Sequence, residues 1–273
     1  MEIYHAKAGA YPASLLWYQD WGGYPDFQQL VADEAVAVGA IPQLTWQPKY
    51  TAGGNQADFA LTTIADGTHD SYITGYADSV ASWNKRIYIR LAHEMNGDWY
   101  PWSPGLYGNT AADYVAAWRH IHAIFAARGA TNVRWVWCPN SDGANNYLLP
   151  ELYPGDDYVD WVGLDGYNWG DTRPWSSWSS LYSIFRANYV SLITMTEKPI
   201  MIGETASAES GGDKAAWIRQ GFLEDLPTLC PRIAWVQWFD ILKEADWRID
   251  SSRTTLDAYR DVATSPLYKG TLS

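Results

Sequence analysis

With 273 residues the chain has the length of one large domain, since α/β barrels of about 200 to 250 residues or more commonly form a single unit. Hydrophobic residues make up 47% of the chain and charged residues 18%, which excludes compositional disorder and predicts a sizeable core. The formal charge of -12, without any cluster of Lys and Arg, excludes nucleic acid and anionic membranes as expected partners.

Apolar runs of strand length recur along the chain. Each is nearly continuous rather than alternating, which is typical of parallel strands buried on both faces. The predicted strands are Ala13–Tyr18, Ala40–Trp46, Arg86–Ala92, Val133–Cys138, Val159–Leu164, Pro199–Gly203 and Ile233–Phe239. A candidate for an eighth strand, Ile3–Ala6, lies too close to the next strand for a helix to fit between them. We therefore expect either a missing first helix or a shortened N-terminal βα unit.

Helical spacing occurs between the strands. Asp26 is a plausible N-cap of the first helix and Gly39 its end. The face predicted to be buried comprises Phe27, Leu30, Val31 and Val38. A later helix is capped by Thr110 with Asp113 and ends at Gly129. Its apolar stripe is Tyr114, Trp118, Ile121 and Phe125.

This alternation of strand and helix predicts a parallel sheet, either closed as a (β/α)8 TIM barrel or open and doubly wound. No G-x-G-x-x-G follows an early strand, which disfavours the dinucleotide-binding form of the open sheet. The sequence therefore favours an α/β TIM barrel that spans residues 1–273 as a single catalytic domain.

Residues just past the carboxyl ends of barrel strands face the active site. The run from Arg90 to Trp102 follows one strand and combines an acid, an imidazole, an amide and three large rings. An ion pair of Arg90 with Glu94 on a solvated loop would not explain such dense rings. Glu204 follows another strand; alone it would be an ordinary helix cap. Paired with Glu94, it predicts glycosidic cleavage, with retention if the carboxyls lie about 5 to 5.5 Å apart.

The motif that carries Glu94 resembles glycoside hydrolase family 26. The resemblance rests on Arg90 with His93–Trp102, on Trp161–Trp169, on Ile202–Thr205 and on Trp235–Phe239. It implies that Glu94, at the end of the fourth barrel strand, is the acid/base and that Glu204, at the end of the seventh, is the nucleophile.

The same resemblance implies further roles at the site. Tyr167 would hold the nucleophile, His93 would lie near it and the sugar, and Arg90 would be its electrostatic partner. Trp238 would lie beneath the cleaved sugar. The other predicted substrate-binding residues are Trp99, Tyr100, Trp102, Trp21, Trp46, Trp169, Asn140 and Asp165.

The sequence predicts the substrate less narrowly than it predicts the reaction. Family 26 resemblance implies a mixed-linkage β-glucanase (lichenase), a β-1,4-mannanase or, less often, a β-1,3-xylanase. The segment from Trp99 to Ser103 is more similar to the lichenase-type branch, so we expect endo cleavage of β-1,3-1,4-glucan, with mannan as the alternative. An inert carbohydrate-binding barrel would use the same aromatic surface, but the presence of both glutamates argues against it.

We expect a secreted monomer that acts on a polysaccharide substrate, with no metal and no cofactor. A metal-dependent hydrolase would require His and Asp ligands at several strand ends, and few are found. Residues 1–20 lack the apolar core of a signal peptide, and no apolar run approaches the length of a membrane span. For Cys138 and Cys230 a single bridge is possible, but two buried thiols are favoured.

Overall fold

The computed structural model describes residues 1–23 and 25–268. The chain divides into two compact units. The first unit comprises Leu15–Ala37 and Ile41–Gly163, and the second comprises Met1–Ser14, Val38–Ala40 and the chain from Leu164 onward. That residues 1–273 act as a single catalytic domain stays a prediction.

Strands form where the apolar runs predicted them. They are β1 Ser14–Asp20, β2 Ile41–Gln47, β3 Ile87–Leu91, β4 Val133–Trp137, β5 Trp161–Asn168, β6 Ile200–Ser207 and β7 Ile233–Trp238, in this order in the sheet. The pairs β2·β3, β3·β4, β4·β5 and β6·β7 are parallel. Ile89 of β3, for example, lies opposite Leu44 on one side and Trp135 on the other, and all three are buried. The predicted parallel pairing is confirmed for these four pairs.

Helices alternate with these strands. Their bounds are α1 Glu2–Ala8, α2 Gln29–Ala37, α3 Leu61–Ala65, α4 Asp70–Trp83, α5 Ala111–Ala127, α6 Leu149–Leu152, α7 Leu181–Met195, α8 Lys214–Arg219, α9 Leu226–Leu229 and α10 Arg253–Ala263. A π-helical turn, Gln220–Asp225, joins α8 to α9. Helix α5 confirms its prediction closely, because Thr110 and Asp113 form a capping box and the predicted apolar stripe is buried.

The prediction of a strand at Ile3–Ala6 is wrong, because these residues lie in helix α1. The whole helix, Glu2–Ala8, contains two alanines, a glutamate and a lysine, which favour helix. The helix packs within the second unit on α10, where the hydroxyls of Tyr4 and Tyr259 lie 2.7 Å apart. Arg260 also donates to the carbonyl of Lys7. The N-terminal segment therefore stabilises a helix pair instead of adding a strand.

Helix α2 also differs from its prediction. It begins at Gln29 rather than after Asp26, because the side chain of Gln19 donates to the Asp26 carbonyl and holds that residue outside the helix. Phe27 is buried as predicted, but Leu30 is 82% exposed. Small residues, Ala32 and Ala35, form the buried face instead. Close packing of α2 therefore depends on alanine rather than on the larger residues.

Candidate functional site

Glu94 lies in the first unit, just beyond the carboxyl end of β3. Its backbone is left-handed, with φ of 52°, and Ala92 two residues earlier has φ of 42°. Such conformations cost about 1 to 3 kcal/mol in non-glycine residues and persist only where neighbours enforce them. Here the Glu94 N–H donates to the Cys138 carbonyl at 2.7 Å, and the Glu94 carbonyl accepts from Gly97 at 2.9 Å. The turn thus holds the glutamate in a fixed place after the strand.

The carboxylate of Glu94 is buried and both of its oxygens accept hydrogen bonds. Trp99 Nε1 donates to Oε2 at 2.8 Å, and Asn140 Nδ2 donates to Oε1 at 2.7 Å. Asn140 is held in turn by Asn96, whose side chain bonds both the N–H and the carbonyl of Asn140 at 2.8 Å. The amide of Asn96 therefore fixes a donor to Glu94, a function that the sequence did not assign to it.

His93 is buried beside rings of the first unit. Its ring centroid lies 4.9 Å from that of Tyr100 and 6.2 Å from that of Tyr18. Trp102 Nε1 donates to the His93 carbonyl at 2.7 Å and its ring stacks on Tyr100 at 4.4 Å. The segment after Glu94 is therefore folded back onto His93 by its own aromatic residues.

Arg90 is fully buried on β3. Its Nε and Nη2 donate to Thr45 Oγ1 at 3.0 and 2.8 Å, and Nη2 lies 3.5 Å from the Tyr18 hydroxyl. These contacts hold the guanidinium inside the first unit. Its predicted partnership with the nucleophile stays a prediction.

Three of the predicted sugar-binding rings are core residues. Trp21, Trp46 and Trp102 are at most 4% exposed. Trp46 stacks on Tyr76 at 4.5 Å and lies 4.8 Å from Trp21, inside the first unit. Rings this buried present no face to a polymer, so the prediction that these three stack on sugars is corrected. Trp99, by contrast, is 45% exposed.

Glu204 lies in the second unit, inside β6. The register against β7 shifts between Ile202, which pairs with Val236, and Thr205, which pairs with Trp238. Such bulges often re-aim side chains beside active sites. Glu204 is buried, and Tyr167, which lies on β5, donates a hydrogen bond from its hydroxyl to Oε2. The structure thus brings together the two residues that the resemblance paired.

Trp247 supports Tyr167 and was not found from the sequence. It is buried, its ring centroid lies 5.0 Å from that of Tyr167, and it lies in the loop after β7. Its carbonyl accepts from Trp238 Nε1 at 2.7 Å. The indole nitrogen of Trp238 is therefore engaged with protein backbone, while its partly buried ring packs against Tyr259 at 5.5 Å. Its predicted position beneath the sugar is untested.

Asp165 and Trp169 are the other predicted second-unit residues. Asp165 is fully buried within β5, and Trp169 follows the strand and packs edge to face on Trp247 at 4.9 Å. Trp169 remains partly exposed, as a sugar-stacking ring must be. The aromatic residues around Tyr167 therefore form one connected set.

Lys214, at the start of α8, is a buried cation that was not selected from the sequence. Its Nζ donates to the carbonyls of Asp246 and Arg248 and to Ser251 Oγ, at 2.9 to 3.1 Å. Burial lowers the pKa of this ammonium to about 8, although Glu209 and Asp246 oppose the shift. Lys214 thus fixes the loop that carries Trp247.

The family is decided by the sequence match. The family model described as Glycosyl hydrolase family 26 matches residues 11–223. The chain belongs to glycosyl hydrolase family 26. This confirms the resemblance carried by the Glu94 and Glu204 motifs and makes the chain a member of a glycoside hydrolase family.

Curated relatives of this family 26 chain include enzymes with different named substrates. It is 43% identical over 236 residues to Endoglucanase H of Acetivibrio thermocellus, covering 84% of this chain and 25% of the relative. It is 26% identical over 220 residues to a mannan endo-1,4-beta-mannosidase of Bacillus subtilis, covering 76% of this chain and 54% of the relative. The chain thus spans a quarter of one relative and about half of the other.

Solved structures agree on the fold. A GH26 beta-mannanase from Bacteroides ovatus superposes with a TM-score of 0.68 at 19% identity, covering 96% of this chain and 82% of that one. The predicted TIM-barrel-like α/β class is confirmed, with seven strands in the part of the family 26 chain that the structure describes.

Two predictions outside the site also have outcomes. Cys138 and Cys230 are buried thiols, as favoured from the sequence. Among residues 1–23 and 25–268, no helix combines the length and apolar character that crossing a bilayer requires.

Proposed function

We propose that this family 26 chain is a secreted, monomeric, endo-acting hydrolase that cleaves β-1,4 linkages in mixed-linkage β-1,3-1,4-glucan with retention. The observation that carries the proposal is the difference between two buried glutamates. Glu94 sits on a left-handed turn and accepts from an indole and an amide, whereas Glu204 accepts from a tyrosine hydroxyl. Two carboxyl groups in unlike surroundings are what a double displacement requires.

In the proposed mechanism Glu204 attacks the anomeric carbon and forms a glycosyl-enzyme ester. Glu94 gives its proton to the leaving oxygen, then removes a proton from the water that hydrolyses the ester. Tyr167 orients the attacking carboxylate through its hydroxyl. Trp99 and Asn140 hold the acid/base carboxyl in one orientation, so each proton transfer begins from a fixed geometry.

Mixed-linkage glucan is proposed because the identity is 43% with Endoglucanase H and 26% with the mannosidase. The segment from Trp99 to Ser103 favours the same branch. Mannan is the second candidate, supported by the mannosidase relatives. Gluco and manno units differ in the orientation of one hydroxyl, so one or two hydrogen bonds decide between them.

The deciding experiment measures initial rates on lichenan, carboxymethyl cellulose, glucomannan and galactomannan at equal mass concentration, with Glu204→Ala as the inactive control. We expect the highest rate on lichenan, a fall in viscosity that precedes most of the reducing ends, and initial β-anomer by NMR. Activity on galactomannan with none on lichenan would reverse the substrate. Initial α-anomer would remove the retaining mechanism.

An inert carbohydrate-binding barrel makes a different prediction for the same preparation. It would bind lichenan in affinity electrophoresis, yet wild type and Glu204→Ala would release reducing ends equally slowly. A difference between the two proteins therefore separates an enzyme from a binding module.

A further inference from the structure

The loop that follows β5, residues 169–180, is held by hydrogen bonds of its own. Thr172 Oγ1 donates to the Trp169 carbonyl at 2.7 Å, and Ser176 Oγ donates to the Gly170 carbonyl at 2.6 Å. Near its end, the Ser179 N–H donates to Asn168 Oδ1 at 3.0 Å. A loop pinned at three points presents its side chains in one arrangement, so little ordering entropy remains to be lost when it binds a ligand.

Trp175 is the large ring that this pinned loop places in solvent. It is 70% exposed, and its ring meets Trp169 edge to face, with centroids 5.3 Å apart and planes at 62°. Single exposed apolar residues are common and need no explanation. An exposed tryptophan set against a second, fixed tryptophan is a different case, because the pair forms a rigid apolar corner.

Trp169 is fixed from the other sides. Its ring packs on the buried Trp247 at 4.9 Å, and the guanidinium of Arg173 lies 5.4 Å from its centroid. Arg173 Nη2 donates in turn to the Glu244 carbonyl at 2.8 Å. The cation–π contact and the anchoring of Arg173 to the backbone together immobilise Trp169, the ring against which Trp175 packs.

These rings form a continuous series from the predicted nucleophile to the surface. Tyr167 bonds Glu204, Trp247 packs on Tyr167, and Trp169 packs on Trp247, all within the second unit. Trp175 is the outermost member. Packed rings therefore connect the exposed ring of Trp175 to the carboxylate that is predicted to react.

We propose that Trp175 is a distal sugar-binding platform, stacking its indole face on a pyranose ring of the polysaccharide remote from the scissile linkage. This rests on the proposed function, since it presupposes a glycan substrate. A pyranose offers a face of C–H groups, which suits a neutral aromatic plane. Trp175 thereby takes the role that the sequence assigned to Trp21, Trp46 and Trp102.

The test compares wild type with Trp175→Ala on the polysaccharide that wild type hydrolyses fastest and on a trisaccharide or tetrasaccharide fragment of it. We expect the ratio of kcat/KM for polymer to kcat/KM for fragment to fall about 2- to 12-fold, the range of one aromatic stacking contact. Trp175→Phe keeps a ring and should restore most of the ratio. Tyr11→Ala removes another exposed ring, at the start of the chain before β1, and should leave the ratio at the wild-type value.

Each result has one meaning. An unchanged ratio in Trp175→Ala would overturn the platform, and so would an equal loss on polymer and fragment, which would show that the loop supports the reaction structurally. Wild type that hydrolyses none of the polysaccharides would instead remove the proposed function. In that case, polymer affinity of wild type and Trp175→Ala, measured by affinity electrophoresis, still tests the platform, and equal affinities overturn it.

Discussion

Trp99 and Glu94 are joined by a hydrogen bond of 2.8 Å from the indole nitrogen to Oε2, although the two residues are five positions apart in an irregular loop. The ring that was predicted to bind sugar therefore also contacts the carboxyl that is predicted to protonate the leaving group. Its 45% exposure leaves part of the ring available to a substrate. One side chain can thus couple binding to the orientation of the acid/base.

Trp99→Phe separates these two roles, because it keeps a ring and removes the donor. Hydrogen bonds to charged groups are worth about 1.5 to 3 kcal/mol, so we expect kcat on polysaccharide to fall about 10- to 100-fold with a small change in KM. An aryl glycoside with a good leaving group should lose less, since it needs little protonation. A change confined to KM would show that the hydrogen bond to Glu94 has no catalytic role.

The two glutamates should respond differently to replacement. Glu204→Ala cannot form the covalent intermediate, so rates on polysaccharide and on an activated aryl glycoside should both collapse. Glu94→Ala should retain glycosylation by the activated substrate, and added azide should restore turnover with retained configuration. Azide that rescued Glu204→Ala with retention and left Glu94→Ala inactive would reverse the assignment.

Tyr167→Phe should lower kcat/KM about 10- to 100-fold, because Glu204 loses a donor at the oxygen predicted to lie next to the attacking one. The substitution keeps the ring that packs on Trp247. Tyr189→Phe is a matched control, since it also removes a hydrogen-bonded tyrosine hydroxyl, one that accepts from the Arg232 N–H in another part of the second unit. Equal losses in both variants would indicate general destabilisation.

Much of the architecture was predictable because the strand and helix periods are local signals. The capping box of Thr110 with Asp113 and the apolar stripe of α5 illustrate this. The N-terminal segment was not predictable in the same way, because a short run such as residues 3–6 is compatible with helix or strand, and tertiary contacts decide between them. Here the contact of Tyr4 with Tyr259, a residue distant in sequence, stabilises the helix.

The residues of the candidate site also differ in whether local sequence signals or tertiary contacts determine their roles. Glu94 and Glu204 were predicted as a pair because each acid closely follows an apolar run in the sequence and both lie in motifs that resemble one family. The proposed platform, Trp175, was not predicted, because a tryptophan suits a core and a wet surface equally well. Trp46 and Trp175 differ only in tertiary surroundings, one packed among rings and the other at a loop tip. Lys214 was missed because nothing local marks a lysine that will be buried.

Lys214 gives the last prediction. At pH 7 the ammonium donates to two backbone carbonyls and one hydroxyl, so Lys214→Met should lower the free energy of unfolding by about 1 to 3 kcal/mol through unpaired acceptors.

Burial lowers the native pKa of Lys214 to about 8, whereas the unfolded lysine keeps a pKa near 10.4. Between these values the unfolded state binds more protons than the native state, and stability then rises with pH. The difference in free energy of unfolding between wild type and Lys214→Met, measured by urea unfolding, should therefore be larger at pH 9.5 than at pH 7. Leu30→Ala changes an exposed side chain without an ionisable group and sets the baseline. A difference that narrows as pH rises would show that the native pKa of Lys214 lies above the unfolded value, so that its hydrogen bonds and acidic neighbours outweigh the effect of burial.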